Sequence, residues 1–520
     1  MPCRLLVIGL DAAEPGLIER WAADGTLPAV RAVLAGGTSG PLRGVEGFHV
    51  GSTWPSLSTG LDPAGHGFHR IDQLAPGTYD FVRPLDSPDG IGGVPFWRAA
   101  SDAGRRVAVL DVPLTRPEPG LNGLQIVEWG GHDSVFGFRT SPPALRDEVL
   151  AGVGAYPLPS DCDAHRETAR DFDRFVSGLE LAAARKTALT LDVLAREDWD
   201  LVVQVFSESH CAGHQCWHLH DPAHPSHDRQ LRDALGDPLE RVYRAIDAGV
   251  GAIVAQAAAT HVLLFSSHGM GGFHGVDFLF PEILYRLGAT ARPAPSPLQV
   301  RAARQVRTRL ARTPLRRAVH RARGHLPRRG QSHPRSLDHW ADTAASRCFP
   351  VPNGVPVSAV RLNLAGREPH GVLKDGPEAE RFCDELTHDL AQIVDEATGA
   401  PLVAAVHRTD SLYSGPRRDS LPDLLVEWNG TVLGTLAHAD GRGSTVRASS
   451  AKIGLVEGHN ATLRTGDHHP DGLYALTGPG IPHASGEPGR LVDIHPTICR
   501  LLDVPAPRVD GEVIPAVAGL

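Results

Sequence analysis

Length, composition and charge limit what this chain can be. Its 520 residues, 42% hydrophobic and 21% charged, are typical of a globular protein with a large core, and no apolar run reaches the roughly 18 residues of a membrane span. A net charge of −9 gives no basic footprint for nucleic acid, and seven cysteines without paired spacing indicate reduced thiols.

The first apolar run, in MPCRLLVIGLD, has only about six residues before Gly and Asp, which is too short for a signal peptide. We therefore expect a cytoplasmic protein. Further runs follow along the chain, each ending in small or polar residues and leading into a helical pattern: RVAVLDVP, DLVVQVFSES and HVLLFSSHG. This alternation predicts a mainly parallel sheet with helices on both faces.

Polar residues follow the ends of these predicted strands: Asp11, Asp111, Glu208, His210, Ser267 and His268. The carboxyl ends of parallel strands meet at one edge of a sheet, so we expect these side chains to share one crevice. Two later runs, LPDLLVEW and DGLYALTGPG, are predicted to be strands that return to the same sheet.

Composition also suggests how the chain is divided. Residues 1–290 would form the first part of an α/β domain, residues 291–345 an Arg- and Pro-rich insertion or cap, and residues 346–520 the remainder of the domain. The basic segment Arg301 to Arg335 could dock an acidic partner or carrier protein, or could be an exposed solvated face.

Two segments contain residues suited to phosphate or metal chemistry. Gly51 to Phe68 reads GSTWPSLSTGLDPAGHGF, and its hydroxyls enter a helix where backbone N–H groups suit an anionic phosphoryl group, although helix capping explains them too. Phe206 to His220 reads FSESHCAGHQCWHLH, with His210, His214 and His218 at helical spacing. A metal site explains this spacing, as does a His-rich loop.

Five motifs, in this order along the chain, resemble those of the alkaline phosphatase superfamily, in its branch of type I phosphodiesterases and nucleotide pyrophosphatases. They are GLDAAEPGLIERWAADGTLPAVRAVLAGG, STWPSLSTGLDPAGHG, SSHGMGG, GDHHPDGLYALTGPGI and VDIHPTICRLLDVPAPRVDGEVI, with LNLAGREPHG (Leu362 to Gly371) as a further match. The resemblance implies a three-layer α/β/α sandwich with a mainly parallel central sheet and cap insertions. It also implies two zinc ions around a hydroxyl nucleophile.

Carried over residue by residue, the resemblance makes Thr53, before Trp54 and Pro55, the nucleophile. One metal would be held by Asp11, Thr53 and the pair at Ser267 and His268, and the other by the residues at positions 210, 214 and 468. The chain departs from the family pattern twice, because His210 and Ser267 stand where the family has aspartate. Asp11 is then the one carboxylate at the matched ligand positions. Two zinc ions carry four positive charges, which a single carboxylate neutralises poorly.

We therefore expect one firm zinc site at His210, His214 and His468, and a second site, with Asp11, His268 and Thr53, that is weak, altered or empty. Glu208 or Asp467 could replace the missing carboxylates, His469 could replace His468 as ligand, and iron or manganese could replace zinc. Weaker contacts to an anionic or aromatic substrate are predicted for Arg367 and Trp217.

The expected function is metal-dependent hydrolysis or transfer of a phosphate monoester or diester, with either Thr53 or a metal-bound hydroxide as the attacking group. One alternative is changed chemistry on a sulfate, phosphonate or other biosynthetic substrate at the remodelled His-rich site. Another is a catalytically decayed protein that binds a ligand or partner in the old crevice.

Overall fold

The computed structural model describes residues 3–130, 134–158, 166, 168–293, 336–431, 445–460 and 463–520. The predicted docking segment Arg301 to Arg335 lies outside the described residues, as does most of the predicted insertion at 291–345. Among the helices that are described, none combines the length and the apolar character needed to cross a membrane.

The secondary structure alternates between strands and helices along the first half of the chain. The strands are β1 (Leu5–Leu10), β2 (Gly37–Arg43), β3 (Gln73–Leu74), β4 (Phe81–Val82), β5 (Val107–Leu110), β6 (Gly123–Val127), β7 (Arg139–Ser141), β8 (Leu201–Phe206), β9 (His261–Ser266), β10 (Gly269–Gly272), β11 (Cys348–Val351), β12 (Val357–Leu362), β13 (Val394–Asp395), β14 (Val403–Arg408), β15 (Leu424–Trp428), β16 (Thr445–Ser450), β17 (Gly454–His459), β18 (Gly466–His469), β19 (Asp471–Thr477), β20 (Ala484–Ser485) and β21 (Gly489–Arg490). The α-helices are α1 (Pro15–Ala23), α2 (Pro28–Ala35), α3 (Thr53–Thr59), α4 (Pro63–His66), α5 (Phe96–Asp102), α6 (Leu145–Gly152), α7 (Ala169–Arg196), α8 (Glu208–His220), α9 (Arg229–Leu235), α10 (Pro238–Ala257), α11 (Phe280–Arg286), α12 (Pro377–Ala391), α13 (Thr409–Leu412) and α14 (Ile494–Leu502).

The central sheet has the strand order β20-β2-β19-β9-β1-β8-β5-β6-β7, with β21 also beside β2. β1 is parallel to β8 and β9, and β5 is parallel to β8 and β6, whereas β19 and β7 are antiparallel to their neighbours. The predicted mainly parallel sheet is thus confirmed.

Side chains alternate across β1 and build a core on each face of the sheet. Leu6 and Ile8 pack into a cluster that includes residues of α7 and α10, while Leu5 and Val7 pack into a second cluster with Ile498 of α14. Helices therefore cover both faces, and the sheet is the middle of the three layers that the resemblance implies.

The predicted strand LPDLLVEW does not return to the central sheet. It forms β15, which lies in a separate antiparallel sheet of order β11-β12-β15-β14. Leu424 and Val426 pack into a third apolar cluster that includes Phe382 and Leu386 of α12, so this strand belongs to a core separate from the two cores of the central sheet. In contrast, DGLYALTGPG forms β19 in the central sheet, between β2 and β9, as expected.

Candidate metal centre and active site

The site lies at the carboxyl ends of three adjacent parallel strands. Leu10 at the end of β1 pairs with Phe206 at the end of β8 and with Ser266 at the end of β9. Because these ends are in register, the next residues along the chain meet at one edge of the sheet, among them Asp11 and Ser267. The predicted crevice is formed at this edge.

Three buried histidines converge at the crevice. His210 and His214 lie one turn apart on α8, and His468 lies on β18. One ring nitrogen from each lies within 4.8 Å of the others, and the ring centroids are 4.6 Å apart in all three pairs. Three imidazoles that leave one position open are a ligand set suited to catalytic zinc. The structure therefore brings together the three histidines that we predict as one site.

Close packing of β18 against α8 brings His468 to this position. A Cβ atom at Gly466 would lie 2.3 Å from the carbonyl oxygen of Gly213 on α8, so only glycine permits the approach. The carbonyl of Gly466 in turn accepts a hydrogen bond from Nδ1 of His214 at 2.7 Å. β18 thus supplies one of the three histidines and orients another.

Burial favours the neutral form of His468 and His268, which is the form of imidazole that binds a metal. Burial lowers the pKa of His468 well below its ordinary value, and the neighbouring His268 and His210 lower it further. Burial also lowers the pKa of His268 to about 3, although Asp11 opposes the shift. Nδ1 of His468 is buried and has no hydrogen-bond partner in the described part of the chain, which fits a nitrogen that serves as a ligand.

Asp11 and His268, predicted for the second metal, lie beside the three histidines. Oδ2 of Asp11 is 3.0 Å from Nδ1 of His210, and Oδ1 accepts a hydrogen bond from Nε1 of Trp54 at 3.0 Å. Nδ1 of His268 is 2.8 Å from Oγ of Ser267, whose hydroxyl lies 3.5 Å from Oδ1 of Asp11. These groups form one hydrogen-bonded unit.

Thr53, the predicted nucleophile, is the first residue of α3 and is buried. Its hydroxyl donates to the backbone carbonyl of His49 at 2.6 Å. The neighbouring Trp54 lines a small cavity of about 40 Å³ at the end of β1. The other lining residues are five polar residues that follow the ends of five strands, and four apolar residues: Asp11, Asp111, Glu128, His210, His268, Val50, Val112, Pro113 and Leu114.

Glu208 is not directed at the three histidines. Its Oε1 lies 3.4 Å from Nζ of Lys186 and accepts a hydrogen bond from Tyr156 at 3.3 Å, while the same ammonium lies 3.0 Å from Asp111. All three charged side chains are at most 4% exposed. This carboxylate, one of two possible replacement ligands, is therefore held in a buried ion network at the first turn of α8.

Two further alternatives can be judged from the same contacts. Nε2 of His469 lies 2.6 Å from Oε2 of Glu14, so this histidine is paired away from the cluster that contains His468. Oδ1 of Asp467 accepts a hydrogen bond from the backbone N–H of His468 at 2.9 Å. Of Asp467, His468 and His469, His468 is the residue that joins His210 and His214 in the cluster.

Arg367 and Trp217, the two residues predicted to contact substrate, lie in different parts of the structure. Arg367 donates to both carboxylate oxygens of Asp423 at 2.8 and 2.6 Å, and to Glu368 at 2.8 Å, so its guanidinium supports the smaller sheet instead of facing the crevice. Trp217 lies on α8 and is 8% exposed, in edge contact with His220. Its indole N–H has no hydrogen-bond partner among the described residues.

Sequence reasoning missed two residues at the site. Nη1 of Arg464 lies 3.2 Å from Nε2 of His214. His49 is 4% exposed, and neither of its ring nitrogens has a hydrogen-bond partner within the described ranges. Their positions, two residues before the GDHH motif and one helical turn before Thr53, are the sequence signals that could have identified them.

A family model supports the resemblance. The family model described as type I phosphodiesterase / nucleotide pyrophosphatase matches residues 5–427. The chain is similar to the solved structure of human ectonucleotide pyrophosphatase / phosphodiesterase 5, with 12% sequence identity, a TM-score of 0.46, and coverage of 98% of this chain and 97% of that chain. No curated protein sequence matches the chain. Because the family model spans most of the 520 residues, including Asp11, Thr53 and His210, this chain belongs to the type I phosphodiesterase and nucleotide pyrophosphatase family.

Proposed function

We propose that the protein is a metal-dependent hydrolase or transferase that acts on phosphate monoesters or diesters, with His210, His214 and His468 as metal ligands. Family membership supports phosphoester chemistry in general. The observation that supports metal dependence is the approach of three buried ring nitrogens to within 4.8 Å at the carboxyl edge of the sheet.

Zinc suits this ligand set best, since three neutral imidazoles form a common catalytic zinc site, although iron or manganese also bind imidazole. When bound, such an ion supplies Lewis acidity for a phosphoryl oxygen and lowers the pKa of water. Histidine in place of a carboxylate at position 210 leaves more positive charge on the ion, which favours binding of an anionic ester.

Thr53 is the proposed nucleophile. It is the first residue of α3, and the next residue, Trp54, lines the cavity. In the resting protein the hydroxyl proton is held by the carbonyl oxygen of His49, which accepts a hydrogen bond but is too weak a base to remove the proton. Attack by Thr53 therefore requires this hydrogen bond to break. The attack would form the bond from Oγ1 to phosphorus as the bond from phosphorus to the leaving alkoxide breaks, and the leaving alkoxide would take up the threonine proton and depart as the alcohol.

The test combines metal analysis with a substrate screen. The purified protein should contain about one zinc per chain and hydrolyse a model diester such as bis(p-nitrophenyl) phosphate, with activity lost to a chelator and restored by zinc. His210→Ala should lose both metal and activity, whereas His388→Ala, at an exposed histidine on α12, should lose neither. Metal-free protein with full activity would overturn the proposal.

A second arm addresses the reaction itself. Thr53→Ala should abolish a covalent phosphoenzyme trapped by acid quench, and Thr53→Ser should restore it, because serine keeps the hydroxyl. A protein that hydrolyses sulfate or phosphonate esters but no phosphate ester would contradict the proposal and indicate different chemistry at the same site. Metal binding without turnover of any ester would mark a binding protein.

A further inference from the structure

Asp11 is enclosed by hydrogen-bond donors. Its carboxylate is 1% exposed and meets Nε1 of Trp54 at 3.0 Å, Nδ1 of His210 at 3.0 Å and Oγ of Ser267 at 3.5 Å. A buried carboxylate needs such donors in place of water. Because the donors reach both oxygens, the charge of Asp11 is compensated within the protein.

The contact with Asp11 determines which nitrogen of His210 can bind a metal. An ionised carboxylate accepts hydrogen bonds but cannot donate them, so Nδ1 of His210 carries the proton. In the neutral ring, Nε2 then carries the lone pair. The carboxylate thus fixes both the tautomer and the ring orientation of one member of the three-histidine cluster.

The same contacts do not fit a second metal ion at Asp11. A divalent cation requires several lone pairs, whereas His210 and Trp54 direct N–H groups at the carboxylate and Ser267 directs an O–H group. The two residues that stand where the resemblance expects aspartate, His210 and Ser267, are two of these three donors. Donors therefore take the place that a second cation would occupy.

We propose that Asp11 is a positioning residue that orients His210 for the metal, in a carboxylate–histidine–metal arrangement, and is not itself a metal ligand. This inference rests on the proposed metal at His210, His214 and His468. Hydrogen bonds of this kind hold a metal-binding histidine in place, and their loss typically weakens metal affinity about 10- to 100-fold.

The test measures zinc affinity by competition with a chromophoric chelator, and zinc content by elemental analysis. Asp11→Asn and Asp11→Ala should still take up about one zinc per chain at saturation, but should bind it about 10- to 100-fold more weakly than wild type. His210→Ala should bind more weakly than either, because it removes a ligand. His388→Ala serves as the matched histidine control and should equal wild type.

A second readout reports the hydrogen bond itself. Zinc-loaded wild type should show a downfield imidazole N–H proton resonance, which should be absent from Asp11→Ala and His210→Ala and present in His388→Ala. Near-ultraviolet circular dichroism checks that each variant is folded, and Asp11→Asn, which keeps the size of the side chain, remains informative if Asp11→Ala does not fold.

Two results would overturn the inference. Two zinc ions in wild type that fall to one in Asp11→Asn would make Asp11 a direct ligand. Unchanged zinc affinity and an unchanged imidazole N–H resonance in the Asp11 variants would show that Asp11 does not position His210, and would leave the proposed function intact. Wild type that binds no metal would instead refute the proposed function, and this inference with it.

Discussion

Nη1 of Arg464 lies 3.2 Å from Nε2 of His214, the ring nitrogen opposite the one that donates to Gly466. A guanidinium only donates hydrogen bonds, so this contact uses the lone pair that a metal would take. A metal at the proposed site would therefore compete with the arginine for the same atom of His214, and Arg464 would have to leave this atom for the metal to bind.

The competition leads to a first prediction, for Arg464→Met. Loss of a hydrogen bond worth about 1 kcal/mol should raise zinc affinity about fivefold, because His214 no longer has to release a donor. Chelator competition measures the change, and Arg229→Met, at an arginine whose side chain is 85% exposed, is the control. Weaker or unchanged binding in Arg464→Met would show that the contact does not compete with the metal.

A second prediction concerns a variant that restores aspartate at both positions where this chain departs from the family pattern, 210 and 267. The double variant His210→Asp with Ser267→Asp should bind two zinc ions per chain where wild type binds one, because it removes two donors from Asp11 and surrounds the site with three carboxylates. Each single variant should bind fewer than two zinc ions per chain, since one added carboxylate does not balance the charge of a second ion. Elemental analysis that finds one ion in the double variant would contradict this explanation.

Lys186→Met should destabilise the protein by about 3–5 kcal/mol, because it leaves Asp111 and Glu208 buried without their cation. Burial raises the pKa of Glu208, and Lys186 only partly opposes the shift. Urea unfolding measures the loss. Arg196→Met, on the same helix α7 but in a partly exposed ion pair, should cost less than about 1 kcal/mol and is the matched control. Equal effects of the two changes would be inconsistent with a buried network.

The fourth prediction concerns pH. Asp237 caps α10 through the backbone N–H groups of Leu239 and Glu240 and lies 2.6 Å from Nδ1 of His220. Although burial opposes the shift, His220 lowers the pKa of Asp237 below the ordinary aspartate value of 3.8. The ionised carboxylate therefore stabilises the fold above pH 3.8, and this contribution is lost as the pH falls through the lower folded value.

Asp237→Asn should accordingly be less stable than wild type by about 1 kcal/mol at pH 7. The difference should shrink as the pH falls below about 3.8, where the carboxylate protonates. Urea midpoints at a series of pH values test this, and a deficit that does not depend on pH would contradict it.

The fold was largely predictable because each parallel strand is a short apolar run that ends at polar residues. LLVIGL and LVVQVF became β1 and β8, buried throughout and paired in register. The sequence does not assign LPDLLVEW to the right sheet, because the same apolar pattern suits any sheet and its pairing with β12 and β14 is not visible in the run itself.

The histidine cluster was predictable from motif order, but its hydrogen bonds were not. Sequence placed Asp11, His210 and Ser267 at one strand edge, yet their separation along the chain gives no sign that the two exchanged residues would both contact the aspartate. Lys186 was unpredictable as the partner of Glu208, because a lysine on an amphipathic helix normally faces solvent. Only packing of α7 against β8 buries it.

The hydrogen bond from His214 to Gly466 joins residues 252 positions apart. During synthesis the chain would therefore present two of the three histidines long before the strand that supplies the third. A nascent chain, or one cut between β17 and β18, holds only an incomplete ligand set. A metal at the proposed site would thus find all three histidines only once β18 has docked against α8.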